Sequence, residues 1–376
     1  MSEYNNMGIK VLIATMHRGS NFGSALQVYA LSQSVKKCGA IPIVLDYIPK
    51  RIKFSKVLVG ILRTLFSLSS SLHQRYQAFR GLCLLISNTF YYGRFFHHEL
   101  SMTKSYYSVE EIEKANLHAD IYMTGSDQVW NSTHNQGIDR VFFLDFLPDE
   151  AKRVAYAASF GKTELEEWEK DITKVLLSRY SAISVRESSA LDILESIDIH
   201  NGVNVLDPTF LLSKSDWKER CPRLKAKEKY LLIYSVEPEK QQIIQIAREI
   251  ADRLDLKVYM VEWGFKAYAD VDKMICNIDP LKLMAYFLHA DYVVASSFHG
   301  TAFSVNLNKP FISVAPQRFN TRAQSLLNLV GLSERLVTFD SYSLDRALAT
   351  IDYTSVNKIL EGERTRSTKY LESIIL

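Results

Sequence analysis

The 376-residue sequence predicts an α/β protein with doubly wound parallel sheets in two domains. Three observations carry that expectation. The stretch Asp291 to Val314 passes from an apolar strand, Tyr292 to Ala295, through the small polar turn Ser296-Ser297-Phe298-His299-Gly300. It continues as a helix from Thr301 to Asn306 and, after Pro310, as a second strand, Phe311 to Val314. The chain also opens on a βαβ pattern, and the length suggests two domains of ordinary size.

The opening unit is a strand from Ile9 to Met16, the turn His17-Arg18-Gly19-Ser20-Asn21, a helix from Phe22 to Lys37 and a strand from Ile41 to Tyr47. Gly39 suits the position after the helix end. Asp46 closes the second strand as in dinucleotide folds, but the glycines are Gly19 and Gly23 rather than a GxGxxG, which argues against NAD. Asn21 and the glycines still allow a ligand to approach the backbone closely.

Arg51 to Phe96 differs in character, being basic and apolar with almost no acid. Such a helical segment either caps a domain or lies on an anionic membrane surface. Ser108 opens a capping box for a short helix ending near Asn116. Three strands then end on polar loops: Ile121 to Thr124 before Gly125-Ser126-Asp127-Gln128-Val129-Trp130-Asn131, Arg153 to Tyr156 before Ala157-Ala158-Ser159-Phe160-Gly161, and Ala182 to Val185 before Arg186-Glu187. In a parallel sheet all three loops share one edge. After Asp207-Pro208, a short helix at Lys214 to Glu219 and a basic linker, Arg220 to Lys229, the pattern restarts with strand Tyr230 to Val236, helix Pro238 to Leu254 and strand Lys257 to Glu262. Pro280 begins a helix to His289, Thr321 lies in the lead into another ended by Gly331, and the last 30 residues are helical. The expected domains are 1–220 with a helical insertion at 51–118, then 221–345, with 346–376 packing back on the first.

Composition removes several classes. A net charge of +3 without a visible basic patch is too small to imply a nucleic-acid partner, and none is expected. Four scattered cysteines give no metal spacing and fit a reducing compartment. The start of the chain shows no secretory leader, and no apolar run reaches the ~18–20 residues of a membrane span. The expected location is the cytoplasm, with peripheral contact on the inner face of the membrane.

Taken together, Asn21-Phe22-Gly23-Ser24-Ala25-Leu26-Gln27, GSDQVW at 125–130, Tyr156 to Gly161, Ser184-Val185-Arg186-Glu187, Leu206-Asp207-Pro208-Thr209 and Ser297-Phe298-His299-Gly300-Thr301 resemble the polysaccharide pyruvyl transferase family. The resemblance runs from about residue 10 to 332, in the family's order. It implies a GT-B-like architecture of two Rossmann-like domains facing across a cleft. It also implies transfer of the enolpyruvyl unit of phosphoenolpyruvate to sugar hydroxyls, finishing as a pyruvate ketal on a bacterial surface or capsular polysaccharide precursor. The implied co-substrates are phosphoenolpyruvate and a sugar or lipid-linked oligosaccharide; no other cofactor and no metal is needed.

The residues can be matched to that chemistry. Protonating C3 of phosphoenolpyruvate opens C2 to attack, and an imidazole is a suitable acid, which points to His299. His299 is otherwise a phosphate ligand or a satisfied core histidine. Asp127 is the candidate base for the sugar hydroxyl, with capping or sugar hydrogen bonding as the alternatives. Arg186 is expected to grip the donor's phosphate or carboxylate, unless it is held in a salt bridge with Glu187 or a neighbour. The N–H groups of Gly300 and Thr301 suit an anion at a helix start. Several relatives carry an arginine two positions before the histidine, as in RLH, where this chain has Ser297. The donor set is therefore Arg186, Ser297, Gly300 and Thr301, with Arg318, Arg322 or Lys309 supplying the missing cation. Acceptor binding falls to Asn21, Phe22, Gly125, Ser126, Gln128, Trp130, Ser159 and Phe160, with Trp130 either stacking on a sugar or filling the core. Two rival functions share this architecture: a glycosyltransferase using a nucleotide-sugar, and a non-catalytic sugar-binding member of an assembly complex.

Overall fold

A computed structural model describes residues 8–18, 21–49, 54–67, 69–224, 228–237, 240–262, 268–315 and 321–376. In chain order the first part contains β1 (Lys10–Ala14), α1 (Phe22–Lys37), β2 (Ile41–Val44), α2 (Phe54–Phe66), α3 (Leu72–Glu99), α4 (Val109–Ala115) and β3 (Ile121–Thr124). There follow α5 (Ser132–Asn135), β4 (Arg153–Ala158), α6 (Glu167–Leu177), β5 (Ala182–Val185), α7 (Ser189–Ser196) and β6 (Gly202–Asn204). The second half holds α8 (Lys214–Arg220), β7 (Tyr230–Tyr234), α9 (Gln241–Leu254), β8 (Lys257–Val261), β9 (Lys273–Ile275), α10 (Pro280–His289) and β10 (Tyr292–Ala295). It ends with α11 (Phe298–Asn306), β11 (Phe311–Val314), α12 (Thr321–Leu329), β12 (Leu336–Val337), α13 (Leu344–Leu348) and α14 (Tyr353–Ile375).

The chain divides into two compact units. The first comprises Met1–Arg51, Glu99–Leu212 and Asn357–Leu376; the second comprises Ile52–His98 and Ser213–Val356. The basic helical segment therefore groups with the second unit, whereas the sequence places it as an insertion in the first domain. Its contacts explain the difference: Ser87 on α3 hydrogen-bonds Asn277, just beyond β9.

The first unit's sheet is wholly parallel, in the order β2-β1-β3-β4-β5-β6. Successive side chains of a strand point to opposite faces, and both faces are covered here. Leu12 and Ala14 join one apolar cluster with Tyr122, Ala155 and Ile183. Val11 and Ile13 join another with Met123, Val154 and Tyr156. Burial on both faces explains why these strands are continuous apolar runs. The second cluster also takes Leu371, Ile374 and Ile375 from the end of α14. There, Ser367 accepts a hydrogen bond from Leu206 N and Arg364 donates to Phe210 O.

The second unit repeats the design with the order β12-β11-β10-β7-β8-β9, again all parallel. α9 buries Ile243, Ile246, Ala247 and Ile250 at helical spacing against Leu231, Val258 and Val294. β9 and β12, three and two residues long, lack the length to show a period in the sequence. Among the described residues no helix is long and apolar enough to cross a membrane.

Leu371 is fully buried in the first unit's core. Leu371→Ala should cost about 2–5 kcal/mol in urea unfolding; an unchanged midpoint would show that α14 adds nothing to that core.

Candidate functional site

The two strand orders point to the same kind of place in each unit. In the first unit the chain moves from β1 outward to β2 and then returns to the other side of β1 with β3. In the second it moves from β7 to β8 and β9, then returns beside β7 with β10. Such reversals open a crevice at the carboxyl ends of the two diverging strands, where doubly wound sheets bind ligands. The segments there are Thr15 to Arg18, Asn21 and Gly125 to Asn131 in the first unit, and Ser235 with Ser296 to Gly300 in the second.

In the first unit, Gly125 lies against β1 so closely that an added Cβ would sit 2.9 Å from Thr15 Cβ. The chain then turns through Asp127 in the left-handed region, at φ 77°. Asn21 caps α1, accepting from Gly23 N and Ser24 N. Ser24, in the first turn of that helix, donates to Asp127 Oδ2, while Gln128 N donates to Oδ1. Asp127 is thus engaged on both oxygens. Its neighbour Ser126 donates to Asp207 Oδ2 at 3.1 Å.

Arg186 is the centre of this cluster. Its guanidinium is buried, 2.9 Å from Asp207, 3.6 Å from Asp127 and 3.8 Å from Glu187. Burial alone would pull its pKa down, but Asp207, Asp127 and Glu187 together hold it above the usual arginine range. The expected role as a donor clamp is therefore corrected: three carboxylates already balance this cation, and they would repel an incoming phosphate. Glu187, which sequence reasoning treated only as a possible partner of Arg186, is fully buried. Its Oε1 accepts from Ser159 Oγ at 2.7 Å, Phe160 N at 3.1 Å and Gly161 N at 3.2 Å, fixing the loop after β4.

The aromatic residues of these loops belong to the core. Trp130 is 3% exposed. Its ring stacks on Phe143 at 5.7 Å, lies 5.2 Å from Phe160, and donates through Nε1 to Phe142 O. With those neighbours in place neither Trp130 nor the fully buried Phe160 presents a face to a sugar. Phe22 and Ser159 are buried as well. Asn21 is exposed and Gln128 partly so, and Gln128 lies over Gly161, where a Cβ would meet its Oε1 at 2.2 Å. At the end of β2, Asp46 is taken by Arg18, His17 and Ser105. Burial would raise its carboxyl, but these hydrogen bonds hold it far below the ordinary carboxylate range.

In the second unit, Ser297 occupies the N-cap of α11 and accepts from Gly300 N at 3.1 Å. Thr301 N donates to Ser297 O, and Thr301 Oγ1 bonds Ser297 O and Ser313 Oγ. The N–H groups of Gly300 and Thr301 are thus spent inside the turn, which corrects their expected use on an anion. A Cβ on Gly300 would lie 2.8 Å from Tyr234 Cδ1 and 2.9 Å from Ala295 Cβ, so the residue is glycine because the helix presses on β7 and β10. His299 follows the cap by two positions, is 6% exposed, and packs against Phe298 and Phe303.

Of the three candidate cations, Arg322 is the one brought to this turn. From the first turn of α12 its guanidinium lies 5.7 Å from the centroid of Phe298. Lys309 lies at the opposite, amino-terminal edge of the sheet, before β11, and donates to Leu288 O and Ala290 O. Burial pulls its ammonium down to about 8, with repulsion from Lys214 adding to the effect. Arg318 lies outside the described residues. Among the described residues no cluster of three or more His, Cys, Asp or Glu is placed to hold a metal ion.

Comparison with known proteins fits this geometry. The model of a family described as polysaccharide pyruvyl transferase matches residues 21–318. No curated protein sequence matches the chain. Among solved structures, Staphylococcus aureus MnaA with UDP is similar with a TM-score of 0.52 at 10% identity, over 96% of this chain and 90% of that one. A Listeria monocytogenes protein assigned as a UDP-N-acetylglucosamine 2-epimerase is similar with a TM-score of 0.51 at 11% identity, over 96% and 97%. At such identities the likeness shows the fold: α/β, with two Rossmann-like units of the GT-B-like kind.

Two stability effects follow from these contacts. Gly300→Ala should cost about 1–3 kcal/mol through overpacking against Tyr234, measured by thermal or urea unfolding. Glu187→Gln should cost a similar amount, because a buried carboxylate oxygen serving three donors is replaced by an uncharged one beside Arg186. Wild-type stability in either variant would contradict the packing or the hydrogen-bond account respectively.

Proposed function

The chain belongs to the polysaccharide pyruvyl transferase family, and we propose that it moves the pyruvyl unit of phosphoenolpyruvate onto sugar hydroxyls of a surface-polysaccharide precursor. The observation that carries this reading is His299: an imidazole two residues past a helix cap, at the strand-order reversal of the second unit, with Arg322 beside the same turn.

In the proposed reaction the imidazolium of His299 gives its proton to C3 of phosphoenolpyruvate, and C2 becomes electrophilic. One sugar hydroxyl adds to C2 and loses its proton to a base. A second hydroxyl then displaces the phosphate, its proton passing to the leaving group, which departs as inorganic phosphate, and the product is a pyruvate ketal. Arg322 would hold the phosphate through its planar fork, taking the place of the arginine that relatives carry where this chain has Ser297. In the first unit, the buried network of Asp127, Arg186, Glu187 and Asp207 shapes the loops whose outward residues, Asn21 and Gln128, are the proposed acceptor contacts. Asp127 is the nearest carboxylate to that surface and remains the candidate base, although Ser24 and Gln128 N occupy its oxygens. A lipid-linked acceptor would bring the enzyme to the cytoplasmic face of a membrane.

A second reading, a glycosyltransferase using a nucleotide-sugar, is favoured by the likeness in fold to a protein solved with UDP. The two separate in one experiment: purified protein is supplied with phosphoenolpyruvate or with UDP-sugars, together with galactoside acceptors, and release of phosphate or UDP is followed. Acceptor-dependent phosphate from phosphoenolpyruvate supports pyruvyl transfer; turnover of a nucleotide-sugar alone overturns it.

His299→Ala should lower kcat by about 10²–10⁴-fold; near-normal turnover would remove it as the acid. Arg322→Ala should raise KM for phosphoenolpyruvate and leave KM for the acceptor unchanged. The reverse pattern would assign Arg322 to the acceptor.

A further inference from the structure

Outside the two sheet edges, the most distinctive surface is the helical hairpin of α2 and α3. The helices pack together where Gly81 meets Ile61: a Cβ on that glycine would lie 3.4 Å from the Ile61 methyl. Along α3, Leu72, Tyr76, Phe79, Cys83, Ile86 and Phe90 are spaced by four and three residues in turn. At about 100° per residue this keeps them within a narrow stripe, roughly 27 Å long at 1.5 Å per residue. Five of the six are large hydrophobic residues left open to solvent, from 56% exposed at Phe79 to 85% at Leu72. The buried residues of the same helix, Ala78, Tyr92, Phe95 and Phe96, lie on the opposite side. On α2, Val59, Leu62 and Phe66 are likewise exposed, Phe66 at 80%. An uncovered apolar surface of this extent on a folded protein marks a binding face.

Its charge identifies the occupant. Residues 54–99, which span both helices, contain five lysines and arginines and one acid, Glu99, at the end of α3 on the side away from the stripe. Because the whole chain carries only +3, the remainder is net acidic. Arg75 and Arg80 flank the α3 stripe in helical projection, and Arg80 lies 5.7 Å from the Tyr76 ring centroid. A second copy of the same face would set arginines against arginines with no acid to neutralise them. An anionic lipid surface takes both components, since the Phe, Leu and Ile side chains enter the acyl boundary and each basic residue near the surface contributes about 1 kcal/mol.

We propose that the α2–α3 hairpin is a peripheral membrane-binding element, lying in the interface of an anionic bilayer. The proposal does not depend on which reaction the protein catalyses. It is tested with the full-length protein by sedimentation with vesicles of phosphatidylcholine, with and without phosphatidylglycerol. The expected result is binding to the anionic vesicles only, weakened by high salt. Phe79→Ser/Ile86→Ser/Phe90→Ser and Arg63→Glu/Arg94→Glu, all exposed positions, should each lower it about tenfold or more while leaving the melting temperature unchanged. Absence of binding, equal binding to neutral vesicles, or undiminished binding by both variants would overturn the proposal. So would a self-association without lipid binding that the triple serine variant abolishes, since that would assign the face to a second copy.

Discussion

The first unit's loops depend on a single buried cation. Arg186 sits at the end of β5, and its partners come from three different places in the sequence: Asp127 after β3, Glu187 beside it, and Asp207 after β6. Each carboxylate then holds a further piece of chain. Asp207 receives Ser126 and the N–H and hydroxyl of Thr209, Asp127 receives Ser24 from α1, and Glu187 receives the loop after β4. A buried guanidinium without these anions would carry a desolvation penalty of several kcal/mol. The anions without the guanidinium would repel one another. The network therefore ties four loops together at one sheet edge.

The second unit reaches a comparable rigidity by contact rather than charge. Gly300 lets α11 press directly on Tyr234 and Ala295, and Ser297 closes the first turn. His299 then has its ring fixed between Phe298 and Phe303. Ser297 suits this arrangement, since its hydroxyl caps the helix. Arg322, on a separate helix, lies beside the same turn.

Much of this was legible in the sequence, and the reason differs from element to element. The strand, break and helix around His299 were visible because a four-residue apolar strand, small polar residues and Pro310 punctuate them locally, although the helix begins at Phe298 rather than Thr301. The extent of α1, Phe22 to Lys37, was visible because a polar turn precedes it and Gly39 follows it, whereas the capping by Asn21 was not. For Arg186 and Trp130 the sequence left a ligand role and a structural one both open, because their partners are remote: Asp207 is 21 residues from Arg186, and Phe142 is 12 from Trp130. A loop tryptophan has the same letter whether it meets a sugar or Phe143. The mistaken use of Gly300 N–H had another cause, since only geometry reveals that Ser297 accepts that bond. Lys309 was close to His299 in sequence yet lies across the sheet, since a helix and a turn separate them.

The partition of the chain carries a consequence for how the protein is made. The polypeptide passes between the two compact units at four points, after Arg51, His98, Leu212 and Val356. Synthesis proceeds from the N-terminus, and domains generally fold as units once their residues are available. The first unit begins with β1 but lacks Leu371, Ile374 and Ile375 of its core until the last residues are added. The second unit needs α2 and α3 from the first hundred residues as well as β7 to β12. Neither can finish early, so an apolar, basic hairpin emerges from the ribosome long before the strands of its own unit exist. During that interval its apolar stripe has none of its own unit's strands to pack against.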